Sequence, residues 1–298
     1  MLGIINLNKP AGKTSHDMVS FCRRLLQTRR VGHAGTLDPC AEGVLPILVG
    51  KATALSDLLT EKTKTYVARV RLGIETDTYD TTGTITAQGK SSFSPKEIEQ
   101  AAQAFIGKIN QQPPMYSAIK IEGQKLYELA RKGITVERPS RSVQIYSLRC
   151  FDFSGEEFSM EVCCSKGTYI RSLCHDLGKH LGSHAAMAAL TRTQSGSFLI
   201  ENAFTPEQLT EAMQNGETER FLLPPEVVLN GYPKVCVSKE NAIKIRNGIR
   251  LRPEQLGLSG VQEGDCLRAY DENSLLCLLR ATRAPQGLVL AIGQTFYE

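Results

Sequence analysis

The residue types best able to do chemistry lie in one short segment, Arg30-Val-Gly-His-Ala-Gly-Thr-Leu-Asp38-Pro-Cys-Ala-Glu-Gly43-Val-Leu-Pro46. An ionised carboxylate such as Asp38 can act as a nucleophile that forms a transient covalent bond. Three glycines and two prolines in these 17 residues predict a shaped loop rather than a regular helix or central strand. Gly32, Gly35 and Gly43 permit close approach or positive φ, and Pro39 biases Asp38 toward an extended or turn conformation that points its side chain away from the local backbone. Taken alone, Asp38 reads more readily as the cap of a turn. Other motifs fail on inspection. Gly12-Lys13-Thr14 ends like a phosphate-cradling loop, but that loop needs a glycine where Leu7 stands. Gly32-His-Ala-Gly35 matches the four-residue clamp of a KH module only in its glycines. No Gly-x-Ser-x-Gly elbow is present.

The elements that must position this loop are legible as periodicities. A short strand at 3–7 leads through a Pro10-Ala-Gly12 turn into a helix at 15–26, capped by Thr14 or Ser15. Residues 64–72 alternate as a strand, Thr65, Val67, Arg69 and Arg71 against Tyr66, Ala68, Val70 and Leu72. Ser94-Pro-Lys-Glu97 is a capping box opening a helix to about residue 106. A strand at 158–164 feeds through Lys166-Gly-Thr168 into a helix at 169–181. Strands and helices interleave without regular βαβ units, which predicts an α+β architecture around a central, mostly antiparallel mixed sheet with flanking helices. Pro/Gly punctuation at 222–233 divides the chain into residues 1–230 and a small β-rich tail, 231–298. The tail should hold a helix at 238–246 and a hairpin whose strands, 266–270 and 275–279, flank Asp271-Glu-Asn-Ser274.

With 298 residues the chain is long enough for roughly two domains and a real core. Hydrophobic residues at 41% and charged ones at 22% are ordinary globular usage and exclude collagen-like, coiled-coil or disordered chains. Nine cysteines, an odd and scattered set without Cys-x-x-Cys, fit a reducing cytoplasm, and no apolar run approaches a membrane span. Cys163, Cys164, Cys174, His175, His180 and His184 cluster in sequence but lack the second thiolate pair of a structural zinc site, so they read as ordinary helix and core residues. The net charge of +4 is uneven. Residues 61–150 carry 14 cationic against 9 acidic side chains, whereas 151–230 carry 5 against 11. Basic groups gathered on one surface would attract a phosphate backbone.

The loop, read as Gly-His-Ala-Gly-Thr-Leu-Asp-Pro-x-Ala-x-Gly-Val-Leu-Pro at 32–46, resembles the signature of the TruB family of tRNA pseudouridine synthases. Lys9-Pro-x-Gly-x-Thr-Ser15, Lys64-Thr-Tyr66, Pro113-Pro-Met-Tyr-Ser-Ala118, Gly167-Thr-Tyr-Ile-Arg-Ser172 and Leu190-Thr-Arg-x-x-x-Gly196 are similar to the family's other blocks, in the same order. The resemblance spans residues 3–230. It implies the pseudouridine-synthase fold, with Asp38 as nucleophile, Arg171 as its cationic partner and Tyr66 against the target base, stacking on it and a candidate to take the C5 proton. It further implies substrate contacts at His33, Gly35, Thr36, Leu190, Lys9 and Tyr169, with His33 pushing into the RNA loop as the target base is flipped out. The tail resembles a PUA-type RNA-binding domain, more faintly.

The implied reaction is an isomerisation: the N1 glycosidic bond breaks, the uracil turns, and C5 joins the same sugar carbon. It needs no redox cofactor, nucleotide or metal. Attack at the sugar C1′ and at the uracil C6 both remain open. A carboxylate screened from water by a bound base needs a fixed cation, and the planar fork of arginine suits that task. Residues 115–141 carry six Lys/Arg against three Glu, mixed with tyrosines, which suits grasping an RNA hairpin. The expectation is therefore a cytoplasmic enzyme acting on the T-loop uridine conventionally numbered 55, binding the T arm as a monomer without an obligatory protein partner or membrane. Two rivals are the catalytic core of a guide-RNA complex and an RNA-binding chaperone whose aspartate is vestigial.

Overall fold

The computed structural model describes every residue of the chain except 118, 122, 273, 286 and 298. Ala118 of the Pro113-to-Ala118 block, Glu122 of the basic segment and Asn273 of the predicted tail hairpin thus lie outside the described residues. The central sheet is formed by β1 (Gly3–Lys9), β2 (Val31–His33), β3 (Glu42–Val49), β4 (Lys64–Leu72), β5 (Gly107–Gln111), β6 (Arg141–Ser154), β7 (Glu157–Cys164) and β8 (Ala185–Ser195). Its order is β1-β3-β8-β4-β7-β6-β5, with β2 beside β3 and a short strand, Phe198–Leu199, beside β8. Only β3 and β8 run parallel, pairing Glu42 with Thr191 and Gly43 with Arg192; every other pair is antiparallel.

Helices α1 (Ser15–Leu25), α2 (Pro95–Gln103), α3 (Ile170–His180) and α4 (Pro206–Gln214) pack one apolar stripe each against this sheet. Met18, Val19 and Cys22 of α1 and Leu173, Cys174 and Leu177 of α3 join Ala68, Val70, Phe158 and Met160 in the main core. Thr14 and Ser94 close capping boxes on α1 and α2. The predicted extension of α2 to residue 106 does not form. The helix ends at Gln103, because Gly107, at φ 106°, already begins β5. Likewise α3 stops at His180, so His184 lies outside the helix and the two histidines do not share a helical face. Among the described residues no group of three or more His, Cys, Asp or Glu is arranged to hold a metal, and no helix is long and apolar enough to cross a membrane.

The reading of 30–46 as loop throughout is corrected at both ends. Val31–His33 and Glu42–Val49 are strands, and β3 is interior to the sheet despite Pro46. Pro46 is tolerated because its carbonyl accepts from Ala34 on the β2 side. Its missing N–H would point the same way, past the end of β2, and so costs no bond to β1.

Beyond residue 233 the strands β9 (Lys234–Val237), β10 (Cys266–Asp271), β11 (Ser274–Ala284) and β12 (Gly287–Thr295) form a second, four-stranded sheet with its own core, covered by helix α5 (Lys239–Arg246). The predicted tail helix and hairpin strands are present within it. The two sheets also share a third cluster, in which Leu278 and Phe296 pack with Ile4, Val44 and Leu48.

Candidate active site

Asp38 is placed by three elements that converge on its loop. Ser15, the first residue of α1, donates its hydroxyl to the Leu37 carbonyl at 3.1 Å and accepts from the Leu37 N–H at 2.9 Å. The Gly12 N–H, in a turn whose φ of 79° suits glycine, reaches the Pro39 carbonyl at 2.8 Å. The Asp38 carbonyl closes a turn by accepting from Ala41 at 3.1 Å. Two buried cations then fix what these bonds leave free. The Lys9 ammonium, on a side chain with 0% exposure, donates to the carbonyls of Pro10, Lys13 and Pro39 at 2.9, 2.6 and 3.4 Å. Arg192, 1% exposed, donates to the carbonyls of Val44 at 2.7 Å and Gly35 at 2.8 Å. Gly43 is obligatory beneath it: a Cβ there would stand 2.3 Å from the Arg192 carbonyl oxygen, at a φ of 103°.

The Asp38 carboxylate meets the guanidinium of Arg171 at 2.8 Å. The aspartate side chain is 37% exposed and the arginine 5%, so the acid faces the solvent while its partner is embedded. Arg171 is aimed by the N-terminal turn of α3. There Gln111 of β5 clamps the backbone of Tyr169, accepting from its N–H at 2.7 Å and donating to its carbonyl at 2.9 Å. The guanidinium also donates to the carbonyls of Thr78 at 3.2 Å and Tyr116 at 2.8 Å, and Asp80 lies 3.8 Å away. Asp80 is itself buried and accepts from the Thr78 hydroxyl at 2.9 Å and the Thr82 N–H at 3.1 Å. A buried arginine between two carboxylates is held in a single orientation.

Asp38 and Arg171 open onto a cleft of about 840 Å³. One wall carries His33, Thr36 and Cys40; the facing wall carries Tyr116, Lys125, Tyr127 and Arg131 from residues 115–141. Burial, reinforced by the charge of Arg192, holds His33 below the ordinary histidine range, so its imidazole is neutral near pH 7, and its Nδ1 is buried without a hydrogen-bond partner. Lys125 and Arg131 stand 5.4 and 5.5 Å from the centre of the Tyr127 ring, a cationic and aromatic surface of the kind that holds nucleic acid.

The remaining residues named from the sequence surround this cleft without lining it. Tyr66 sits on β4 directly opposite Arg192 of β8, packed against the main core; burial pushes its phenol above the ordinary tyrosine range, keeping it protonated at neutral pH. Leu190 is a core residue two positions earlier on β8. Gly35 backs onto the Arg192 guanidinium. Tyr169 caps α3, and burial raises its phenol in the same way. Lys9, whose implied contact is with substrate, commits its ammonium to the loop carbonyls beneath the cleft. Asp80, Gln111 and Arg192 were not assigned roles from the sequence. Arg192 stood in a quoted block and could have been flagged there; nothing local couples Asp80 or Gln111 to α3.

Two family models match the chain: the TruB family pseudouridylate synthase (N terminal domain) over residues 23–170 and the tRNA pseudouridylate synthase B C-terminal domain over 171–230. A tRNA pseudouridine synthase B from Clostridium perfringens (strain 13 / Type A) is 42% identical over 277 residues, 92% of this chain and 93% of that protein. The protein of the same name from Alkaliphilus oremlandii is 47% identical over 251 residues, 84% and 83% of the two chains. Among solved structures, a chain of a Cbf5-Nop10-Gar1 complex superimposes with a TM-score of 0.75 at 29% identity, covering 99% of this chain and 85% of that one. A chain of an H/ACA RNP bound to a substrate RNA containing 2′-deoxyuridine gives 0.74 at 26%, with 99% and 85% covered. On the match of both family models and these identities, the chain belongs to the TruB family of pseudouridine synthases.

Proposed function

We propose that this protein isomerises uridine to pseudouridine in tRNA, at the T-loop position conventionally numbered 55, with Asp38 as the nucleophile. The observation that carries the reading is the Asp38 carboxylate, exposed to a cleft and salt-bridged at 2.8 Å to the buried Arg171. When a flipped-out nucleotide excludes water from this cleft, the guanidinium offsets the loss of hydration of the anion and keeps it ready to bond to carbon. Arg171 cannot rotate away, because two backbone carbonyls accept from it and the Asp80 carboxylate attracts it. The neutral His33 can enter the space vacated by the base, since an uncharged imidazole stacks without a large desolvation penalty. Tyr66, kept as a phenol behind the cleft wall, is the ring the uracil meets when it passes deeper than the cleft surface, with Leu190 beside it.

Residues 115–141 form the grip on the T arm in this reading, and residues 231–298 form a separate PUA-like RNA-binding domain on a catalytic domain of residues 1–230. The enzyme acts as a monomer in the cytoplasm. The identity of 42–47% with proteins named tRNA pseudouridine synthase B favours action on tRNA by the chain alone. The solved structures named as complexes supply the second reading, a core that works only with partner proteins. One experiment separates them. The purified chain is incubated with an unmodified tRNA transcript and with a bare T-arm hairpin, and pseudouridine is mapped chemically. Product at the single T-loop position in both supports the proposal; product only after added proteins and a guide RNA establishes the second reading; none in either case overturns both.

A further inference from the structure

The mechanism leaves unused a buried histidine one helical turn beyond Arg171. Arg171 and His175 stand at i and i+4 on α3 and so face the same neighbour, the turn at residues 76–82. Arg171 holds that turn by the Thr78 carbonyl and the Asp80 carboxylate. His175 holds it by the intervening residue: its ring stacks on Tyr79 with centroids 3.9 Å apart and planes 18° from parallel. The stack bears on a backbone that would not otherwise adopt this shape, because Tyr79 has a φ of 63°, a left-handed conformation that a bulky side chain rarely enters. The strained residue lies between the two groups that aim Arg171.

The imidazole is well placed to be a rigid plate. It is 5% exposed, its Nδ1 lies 3.2 Å from Asp176, and its Nε2 faces Glu75 at 3.6 Å, which in turn takes His184 Nδ1 at 3.0 Å. The far side of the turn is closed by β8, where Met187 and Tyr79 share a backbone bond of 3.0 Å and Thr81 returns one to Met187 at 2.9 Å. We propose that His175 is a positioning residue for catalysis: by pressing Tyr79 into its left-handed conformation it sets Asp80 and the Thr78 carbonyl, through them Arg171, and through Arg171 the Asp38 carboxylate.

The inference rests on the pseudouridine reading, and its test reports on each separately. Single-turnover pseudouridine formation and tRNA affinity are measured for the wild type, His175→Ala, His175→Phe, Asp80→Asn and the double variant His175→Ala/Asp80→Asn. The expected result for His175→Ala is a rate about ten- to a hundredfold lower, the scale at which misplacing reacting groups is felt, with affinity unchanged within about twofold. His175→Phe, which keeps the plate without ring nitrogens, restores most of the rate. The double variant reacts no more slowly than Asp80→Asn alone, since both changes release the same guanidinium. Tyr79→Ala keeps the cost of the left-handed backbone but removes the ring on which His175 stacks, so it gives a second variant should His175→Ala be unstable, and it shows the same loss. A wild-type rate in His175→Ala or Tyr79→Ala, a His175→Phe variant as slow as His175→Ala, or a double variant slowed by the product of the two single effects overturns the positioning role. A wild type that makes no pseudouridine overturns instead the reading on which it rests.

Discussion

Across the cleft from Asp38, residues 115–141 supply Tyr116, Lys125, Tyr127 and Arg131, and they are held quite differently from the loop that carries the acid. The acid's loop is stitched to α1, β1 and β8 by Ser15, Lys9 and Arg192, two of them cations with essentially no exposure. The opposite wall springs from the adjacent pair Gln111 and Arg141 at the sheet edge, and its bonds are largely internal. Leu126 donates to Ile119, Tyr127 to Ser117, and Arg138 back to Pro113. Lys125 and Arg131 both meet the Tyr127 ring, and neither makes an ion pair among the described residues. One wall thus has its geometry fixed before any ligand arrives, while the other keeps donors and rings available to one. In the function proposed above, chemistry belongs to the first and grip to the second.

The strongest way to break that division is Asp38→Asn. The amide cannot supply the nucleophilic oxygen anion, so product formation should fall at least about a thousandfold while tRNA affinity stays within about twofold. Pseudouridine at the wild-type rate would show that the fixed wall is not the chemical one. Next in size is Arg192→Met, which removes a buried cation and leaves the Val44 and Gly35 carbonyls without donors. About 3 kcal/mol of stability should be lost, seen as a fall in Tm of about 6–12 °C for a domain of this size. A variant that melts normally yet binds tRNA poorly would move Arg192 to the gripping side.

On that gripping side, Lys125→Ala and Arg131→Ala should each weaken tRNA binding several-fold and lower the slope of log affinity against log salt by about one, with the rate on saturating tRNA unchanged. A salt slope identical to the wild type's would argue that these side chains meet no phosphate. The smallest effect sharpens the cost of building the fixed wall. Burial, aided by the charge of Arg192, pushes Lys64 of β4 down to about 8 from 10.5. The unfolded chain therefore binds more protons between those values, and the wild type should gain stability relative to Lys64→Met as pH rises from about 8 toward 10.5, with a constant difference below. Thermal melts across that window read the sign directly.

What the sequence discloses follows the range of the forces involved. Caps at Thr14 and Ser94 and the alternation along β4 are local, and they appear where composition puts them. The strand β8 was not anticipated: Ala185-Ala-Met-Ala-Ala-Leu190 has small, helix-favouring residues, and it is extended because it fills the slot between β3 and β4. Pro46 hid β3 for the complementary reason, since only the neighbour's early end makes a proline acceptable there. Within the site, the block around Asp38 and the arginine at 171 were named from a resemblance, and the 2.8 Å pair sits where that resemblance implied a partner. Asp80, Gln111 and the Tyr79–His175 stack were illegible, because each acts on an element distant in the chain and only folding brings them to it.

The cluster in which Leu278 and Phe296 meet Ile4, Val44 and Leu48 carries one more implication. Those tail side chains seal the back of the two strands whose front edge leads into the Asp38 loop. A fragment cut after residue 230 would therefore be left with a raw greasy patch behind the strands that carry the Asp38 loop, prone to clumping. Heat should dissolve both sheets in a single step rather than peel the tail away first.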